Sequence, residues 1–266
     1  MLVAERERTE WETAGHGWSA RALEWAYLLE PYSLPANELV LAKLAVGAGT
    51  RYLDVACGSG YATALAARRG AVVSGLDAAG ALIDIARART PDGDLRVGDM
   101  FALPFAHDSF DVVTSFNGIW KGCEGALDEV ARVLTADGRF GMTYWGAPKR
   151  LGLLPYFAKI VELSPPSHQA ATMEQGDTAR AIDDMLAATG FRIVDRGTIN
   201  VVNEWPDVPT AVRALAAAGP AVPAIEAVGY DIFCDALTAV IVDLHDPVLG
   251  VRIASEFGWL TAAPQT

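Results

Sequence analysis

The chain is short of three things, and each shortage excludes a class of protein. Cysteine is scarce: among 266 residues there are only Cys57, Cys123 and Cys234, with no C-x-x-C spacing. An odd, scattered set argues against a disulfide framework and against a structural metal site, and fits a reducing cytoplasm. Long apolar runs are missing as well. The nearest to the ~18 residues of a membrane span is Val228 to Leu244, which contains Asp231, Asp235 and Asp243. Met1 to Trp11 carries Glu5, Arg6, Glu7, Arg8 and Glu10 and has no apolar signal-like stretch, so neither export nor a span is expected. Positive charge is the third shortage, with 21 Lys and Arg against 33 Asp and Glu and a net charge of −12. The basic pairs Arg68-Arg69 and Lys149-Arg150 read as solvated ends, not as a stripe that would offset phosphates. A small organic partner is therefore expected over nucleic acid. At 52% hydrophobic content, a chain of this length buries one sizeable core, so 1–266 is read as one domain, monomeric or homodimeric.

What the chain does have is concentrated in one region. Leu53-Asp54-Val55-Ala56-Cys57-Gly58-Ser59-Gly60 closes an apolar run with a glycine-rich turn. Two further apolar runs end in acids: Ala71 to Leu76 before Asp77, and Leu95 to Gly98 before Asp99. In an open parallel sheet, ligands lie outside the carboxyl ends of the strands. The turn lets backbone approach a ligand closely, and the helix it opens, near 60–69, offers free N–H groups. Asp77 is placed to accept hydrogen bonds from a ribose diol, and Asp99 one from an adenine amine. Met100 and Phe101 offer apolar surface to a flat ring. Each piece alone is weak, since strand-end acids are often turn formers; the ordered set reads as an adenosine site. A dinucleotide fingerprint would need a third glycine where Thr63 stands, and gives no role to Asp99. A nucleotide-dependent oxidoreductase is thus the weaker reading.

At this point the chain resembles the class I S-adenosylmethionine-dependent methyltransferases, in particular the small-molecule group related to the ubiquinone and menaquinone enzymes. Val97-Gly98-Asp99-Met100, Leu103-Pro104-Phe105, Asp108 to Val113, Ala126 to Leu134 and Asp137-Gly138-Arg139-Phe140 carry the likeness from about Arg51 to Trp145. The resemblance implies S-adenosyl-L-methionine as cofactor and S-adenosyl-L-homocysteine as product. It places Asp54, Ala56, Gly58 and Gly60 along the methionine part, Asp77 and Ala78 at the ribose, and Asp99 and Met100 at the adenine. Phe116 and Asn117 would close the site under the sulfonium. Ala56 departs from the glycine more usual in the family. A protein that binds the cofactor without methylating is the alternative the motifs leave open.

The fold expected is α/β, a doubly wound Rossmann-like seven-stranded sheet with helices on both faces, its last strand antiparallel, plus helical lid and insert segments. Strands are predicted near 51–56, 71–76, 94–98, 110–116, 138–145, 191–202 and 251–261, and helices near 60–69, 79–89 and 123–134. Within one domain, 1–50 is read as a helical lid, 51–146 as the cofactor half, 147–190 as an insert and helix, and 191–266 as the final strands with a helical insert at 206–246. Trp18, Ala22, Trp25 and Leu29 fall on one helical face, with Gly15 and Gly17 expected to interrupt the helix before them. Phe233, Leu237, Val240 and Leu244 form a second such face. Methyl transfer needs a lone pair aimed at an electrophilic carbon, with a base where the acceptor is a hydroxyl. Among His16, His107, His168 and His245, the insert residue His168 is the candidate base. Trp18, Trp120 and Tyr144 are the candidate pocket walls. No metal-ligand spacing is present.

Overall fold

Alternating short apolar runs and amphipathic helices fold here into a twisted sheet covered on both faces. The computed structural model describes residues 9–166 and 178–265. Its strands are β1 Arg51–Val55, β2 Val72–Asp77, β3 Asp94–Val97, β4 Phe110–Phe116, β5 Leu134–Trp145, β6 Phe191–Trp205, β7 His245–Asp246 and β8 Gly250–Pro264. The order is β3-β2-β1-β4-β5-β8-β6, with the two-residue β7 beside β8. The first five strands pair in parallel, and β8 enters antiparallel between β5 and β6. The seven expected strands are all present; β7 is the addition.

Period-two alternation sorts side chains between the two faces. Leu53 and Val55 of β1, Val113 of β4, and Phe140 and Met142 of β5 meet helices Glu124–Val133 and Thr178–Ala188. Tyr52, Val73, Val112 and Trp259 point the other way, onto helices Leu34–Lys43 and Tyr61–Arg68. Helix Glu124–Val133 forms for visible reasons: Leu127, Val130 and Val133 make a buried stripe, with Glu124 in its first turn and Arg132 in its last.

Register sets the site. Val55 pairs with Leu76 and Asp77 with Val97, so β1, β2 and β3 end nearly level. The other half behaves differently. Trp145 at the end of β5 pairs with Phe257, and Phe257 pairs with Ile199, yet β6 and β8 stay paired as far as Trp205 and Val251. Six further residues extend this ribbon about 20 Å beyond β5. The extension is covered by helices Leu154–Leu163, Val208–Leu215, Val222–Val228 and Tyr230–Ile241, in a second core built on Phe233, Leu237, Leu215 and Trp205. Asp207 caps one of these helices by accepting the Thr210 N–H at 2.7 Å. Pro220 and Pro223 lie in the first turns of a 3-10 segment and of the next helix, so they start helices.

Three helical expectations are corrected. Gly15 and Gly17 do not break the N-terminal helix, which runs Glu10–Ser19 under a Thr9/Glu12 capping box. The break comes afterwards: Arg21 leaves helical geometry, and the chain continues as a short helix, a π turn at Trp25–Leu29 and a 3-10 turn at Glu30–Ser33. Trp18 and Leu29 therefore do not share one continuous helix, although Trp18 still meets Trp25 edge-on at 4.6 Å. Lastly, Leu244 lies beyond the helix Tyr230–Ile241 and is exposed, whereas Phe233 and Leu237 are fully buried. Among the described residues, no single helix is long and apolar enough to cross a membrane.

Candidate functional site

The turn after β1 takes a left-handed backbone three times, at Ala56 (φ +57°), Gly58 (+55°) and Gly60 (+72°). Asp77 holds its shape. One carboxylate oxygen accepts the Gly58 N–H at 2.8 Å and the other the Ala79 N–H at 2.8 Å, tying the ends of β1 and β2 together. Burial raises the Asp77 carboxyl above its ordinary range, against the pull of these N–H bonds. Each oxygen keeps a second lone pair for a ligand.

Asp54 sits behind the turn, fully buried, and accepts the Thr114 hydroxyl at 2.8 Å and the Thr63 hydroxyl at 3.1 Å. Tyr52 extends the chain with a 2.5 Å contact between its hydroxyl and Thr114. Burial pushes Asp54 up to about 7, with the two threonine bonds opposing. Thr63, the position at which a dinucleotide site would need glycine, thus helps to anchor this acid.

The turn is roofed by the N-terminal segment through a residue that the sequence did not single out. Glu30 is buried; it accepts the Ser59 N–H at 3.2 Å and the Ser59 hydroxyl, and pairs with Arg89 at 2.9 Å. Arg89 also donates to the carbonyls of Ser59 at 3.2 Å and Ala26 at 2.9 Å. Burial pushes the Glu30 carboxyl up, while Ser59 and Arg89 hold it down. An acid inside the apolar run Trp25 to Tyr32, followed by Pro31, was the only trace of it in the sequence.

Several buried polar atoms around this turn lack partners, among them Trp25 Nε1, Ser115 Oγ and Asn117 Oδ1. A Cβ on Gly58 would stand 3.8 Å from Trp25 Nε1, and one on Gly118 2.8 Å from Ser115 Oγ. A free donor by the turn and free acceptors at the end of β4 suit a ligand that carries both a carboxylate and an ammonium group. The residues present therefore fit the amino-acid end of an S-adenosylmethionine-type molecule.

The other candidates divide. Asp99 is half-buried and accepts the Phe101 N–H at 2.9 Å, with Met100 packed beside it on the core. Ala78 carries the carbonyl against which Gly15 of the N-terminal helix is pressed. Phe116 ends β4 and Asn117 follows it, its side chain near the Tyr32 hydroxyl. Trp120 is largely exposed, and Trp18 packs on Gly219 and Trp25. Tyr144 is corrected: it is buried in the core on the far face, with its ring against Gly258, so it is no pocket wall. Its neighbour Trp145 points to the opposite face, meeting Phe157, Phe257 and Tyr32 at centroid distances of 5.3, 4.9 and 6.5 Å. His168 lies outside the described residues. The other three histidines are exposed. Among the described residues no group of three His, Cys, Asp or Glu side chains could hold a metal ion.

A cavity of about 370 Å³ lies between the N-terminal segment and the β6 extension, lined by Leu28, Tyr32, Asn203, Trp205 and neighbouring residues. The Trp205 indole donates to the Leu28 carbonyl at 2.7 Å and ties the two walls together.

Comparison with known proteins bears on this arrangement. Residues 53–142 match the family model described as a methyltransferase domain. The chain is 32% identical over 155 residues to an uncharacterized protein of Mycobacterium tuberculosis, covering 54% of this chain and 57% of that one. It is 31% identical over 175 residues to a demethylmenaquinone methyltransferase of Lactobacillus johnsonii, covering 57% of this chain and 72% of that one. The crystal structure of the cyclase SpnF superposes with a TM-score of 0.56 at 20% identity, covering 87% and 81% of the two chains, a likeness of fold. The match thus spans little more than half of the mycobacterial protein's length.

Proposed function

The chain belongs to the class I S-adenosylmethionine-dependent methyltransferases, and from that membership we propose that it transfers a methyl group from S-adenosylmethionine to a small organic acceptor. When bound, the cofactor supplies an electrophilic methyl group on a sulfonium. The observation that carries the reading is the tie between Asp77 and the Gly58 N–H, which brings the ends of β1 and β2 into one cradle with unpartnered polar atoms around it.

The roles follow from placement. Ala56, Gly58 and Gly60 would line the methionine part, with Trp25 Nε1 as a donor to its carboxylate and Asp54 as the buried carboxyl that braces the turn from behind. Asp77, with Ala78, would hold the ribose hydroxyls on its remaining lone pairs. Asp99 and Met100 would face the adenine. Phe116 and Asn117 at the end of β4 would close the site beneath the reacting methyl. The acceptor would enter between the N-terminal segment and the β6 extension, where Tyr32, with Trp145 stacked on it, would present aromatic surface and exclude water. The work of these residues is chiefly to aim and desolvate a nucleophile for in-line displacement. We assign no base: the three described histidines are exposed, and burial holds the Tyr32 hydroxyl well above its ordinary range. The small organic acceptor and the acidic surface suit a cytoplasmic enzyme.

Calorimetric titration with S-adenosyl-L-homocysteine tests the reading, with NAD as control and Asp77→Ala as the variant. Saturable binding to the wild type, no NAD binding, and a loss of at least tenfold in the folded variant are expected. Absence of S-adenosyl-L-homocysteine binding to folded wild-type protein would overturn it.

A further inference from the structure

Asn203 is a poor choice for a residue that serves only the fold. It is 2% exposed, and neither its Oδ1 nor its Nδ2 has a partner. Ser255 is 1% exposed and its hydroxyl is likewise unpartnered. The two stand on neighbouring strands of the β6–β8 extension. Asn203 pairs with Ile253 and Val201 with Ser255, so Asn203 and Ser255 are diagonal neighbours on one face. Their surroundings are apolar: Trp205, Ile253 and Val251 belong to the second core, and Val201 packs with Phe257 and Ala36. A leucine of nearly the same size would remove the whole desolvation cost at position 203.

Asn203 also lines the cavity of about 370 Å³. Its lining mixes the apolar Leu28, Leu29, Tyr32 and Trp205 with the polar Glu204 and Thr210, so the space takes an apolar body with a polar edge, and Asn203 is the buried amide in its wall. Tyr32 joins this cavity to the end of β4, since its hydroxyl lies near the Asn117 side chain. The cavity therefore leads towards the place where the reacting methyl is proposed to lie.

We propose that Asn203 is the recognition group of the acceptor site, and that the acceptor presents a carboxamide or lactam edge to it on a flat apolar body. A primary amide side chain has one acceptor and two donors, and another amide answers it with two antiparallel hydrogen bonds. Ser255, one register step away, can take a third bond from the same edge. Identification of the occupant as the methyl acceptor rests on the proposed methyltransferase function; the amide preference of the cavity does not.

Naphthamide and methylnaphthalene serve as matched probes, with binding read from the fluorescence of the protein's tryptophans, Trp205 among them. Wild type is expected to bind naphthamide at least about tenfold more tightly than methylnaphthalene, because an unmatched amide is left unpaired by the hydrocarbon. In Asn203→Leu the preference should vanish and Tm should rise, since an unpartnered buried amide has been removed. Equal affinity of the two probes for wild type, or no binding of naphthamide, overturns the inference. So does an amide preference that survives in the variant, or a lower Tm, which would show that Asn203 serves the fold or an ordered water. If the variant does not fold, the wild-type comparison still decides. Neither probe carries adenosine, so failure of S-adenosyl-L-homocysteine to bind would sink the methyltransferase reading alone and leave the cavity result standing.

Discussion

Asp54 shows how one side chain links the fold to solution conditions. Its folded carboxyl titrates near 7, against 3.8 for the unperturbed group, because burial outweighs the bonds from Thr114 and Thr63. Between those values the folded chain holds a proton that the unfolded chain has given up. Stability therefore falls as pH rises from about 4 to about 7, and the loss persists above. At about 1.4 kcal/mol per unit, the ceiling of the effect is about 4 kcal/mol. Asp54→Asn should unfold later than wild type at pH 8 and show little advantage at pH 4, in urea melts across that range. A wild type whose stability is flat from pH 4 to 8 would show that Asp54 stays ionised in the fold. At this scale, legibility depended on whether a residue's partners were close in sequence. Gly58, Gly60 and Asp77 were legible because turn and acid follow one another at strand ends. Glu30 and Asn203 were not: one needs Arg89 and Ser59 for meaning, the other a cavity lined by Leu28 and Tyr32.

At the scale of elements, the sheet was readable because period two and period 3.6 separate cleanly between Arg51 and Trp145. The aromatic wall was not, because adjacent residues of a strand face opposite ways and nothing local says which face holds the site. Tyr144 fell to the core of the far face and Trp145 to the aromatic cluster around Tyr32 for that reason alone. The N-terminal helix was misjudged on propensity, where tertiary packing decides. Gly15 lies so close to the end of β2 that a Cβ there would stand 2.1 Å from the Ala78 carbonyl oxygen. The glycine admits the helix to this surface, at a cost in propensity of roughly 1 kcal/mol. Gly15→Val should therefore lift helix Glu10–Ser19 off the strand end next to Asp77. We expect S-adenosyl-L-homocysteine affinity to fall at least tenfold by calorimetry, with far-UV circular dichroism nearly unchanged. Undiminished affinity would mean that this helix takes no part in closing the site.

For the whole molecule, the two halves of the site differ in how they are held. The proposed cofactor cradle belongs to the parallel core, where β1 is flanked by paired strands on both sides. The roof is an irregular segment from Trp25 to Ser33, fastened chiefly by Glu30, Arg89 and the Trp205 indole. A segment held by so few polar contacts should open locally well below the global unfolding free energy. A ligand enclosed by both halves stabilises the roof most, because the opened form cannot bind it. At about a hundredfold excess over Kd the gain is about 2.7 kcal/mol. S-adenosyl-L-homocysteine should then slow amide exchange across residues 10–33 by up to about a hundredfold, measured by hydrogen exchange with mass spectrometry. Exchange in β1 and β4, which opens only with the whole chain, should show less change within the same labelling times. Uniform protection across the chain would mean that roof and core open together. The N-terminal segment would then be a fixed wall, and the acceptor would have to enter by another path.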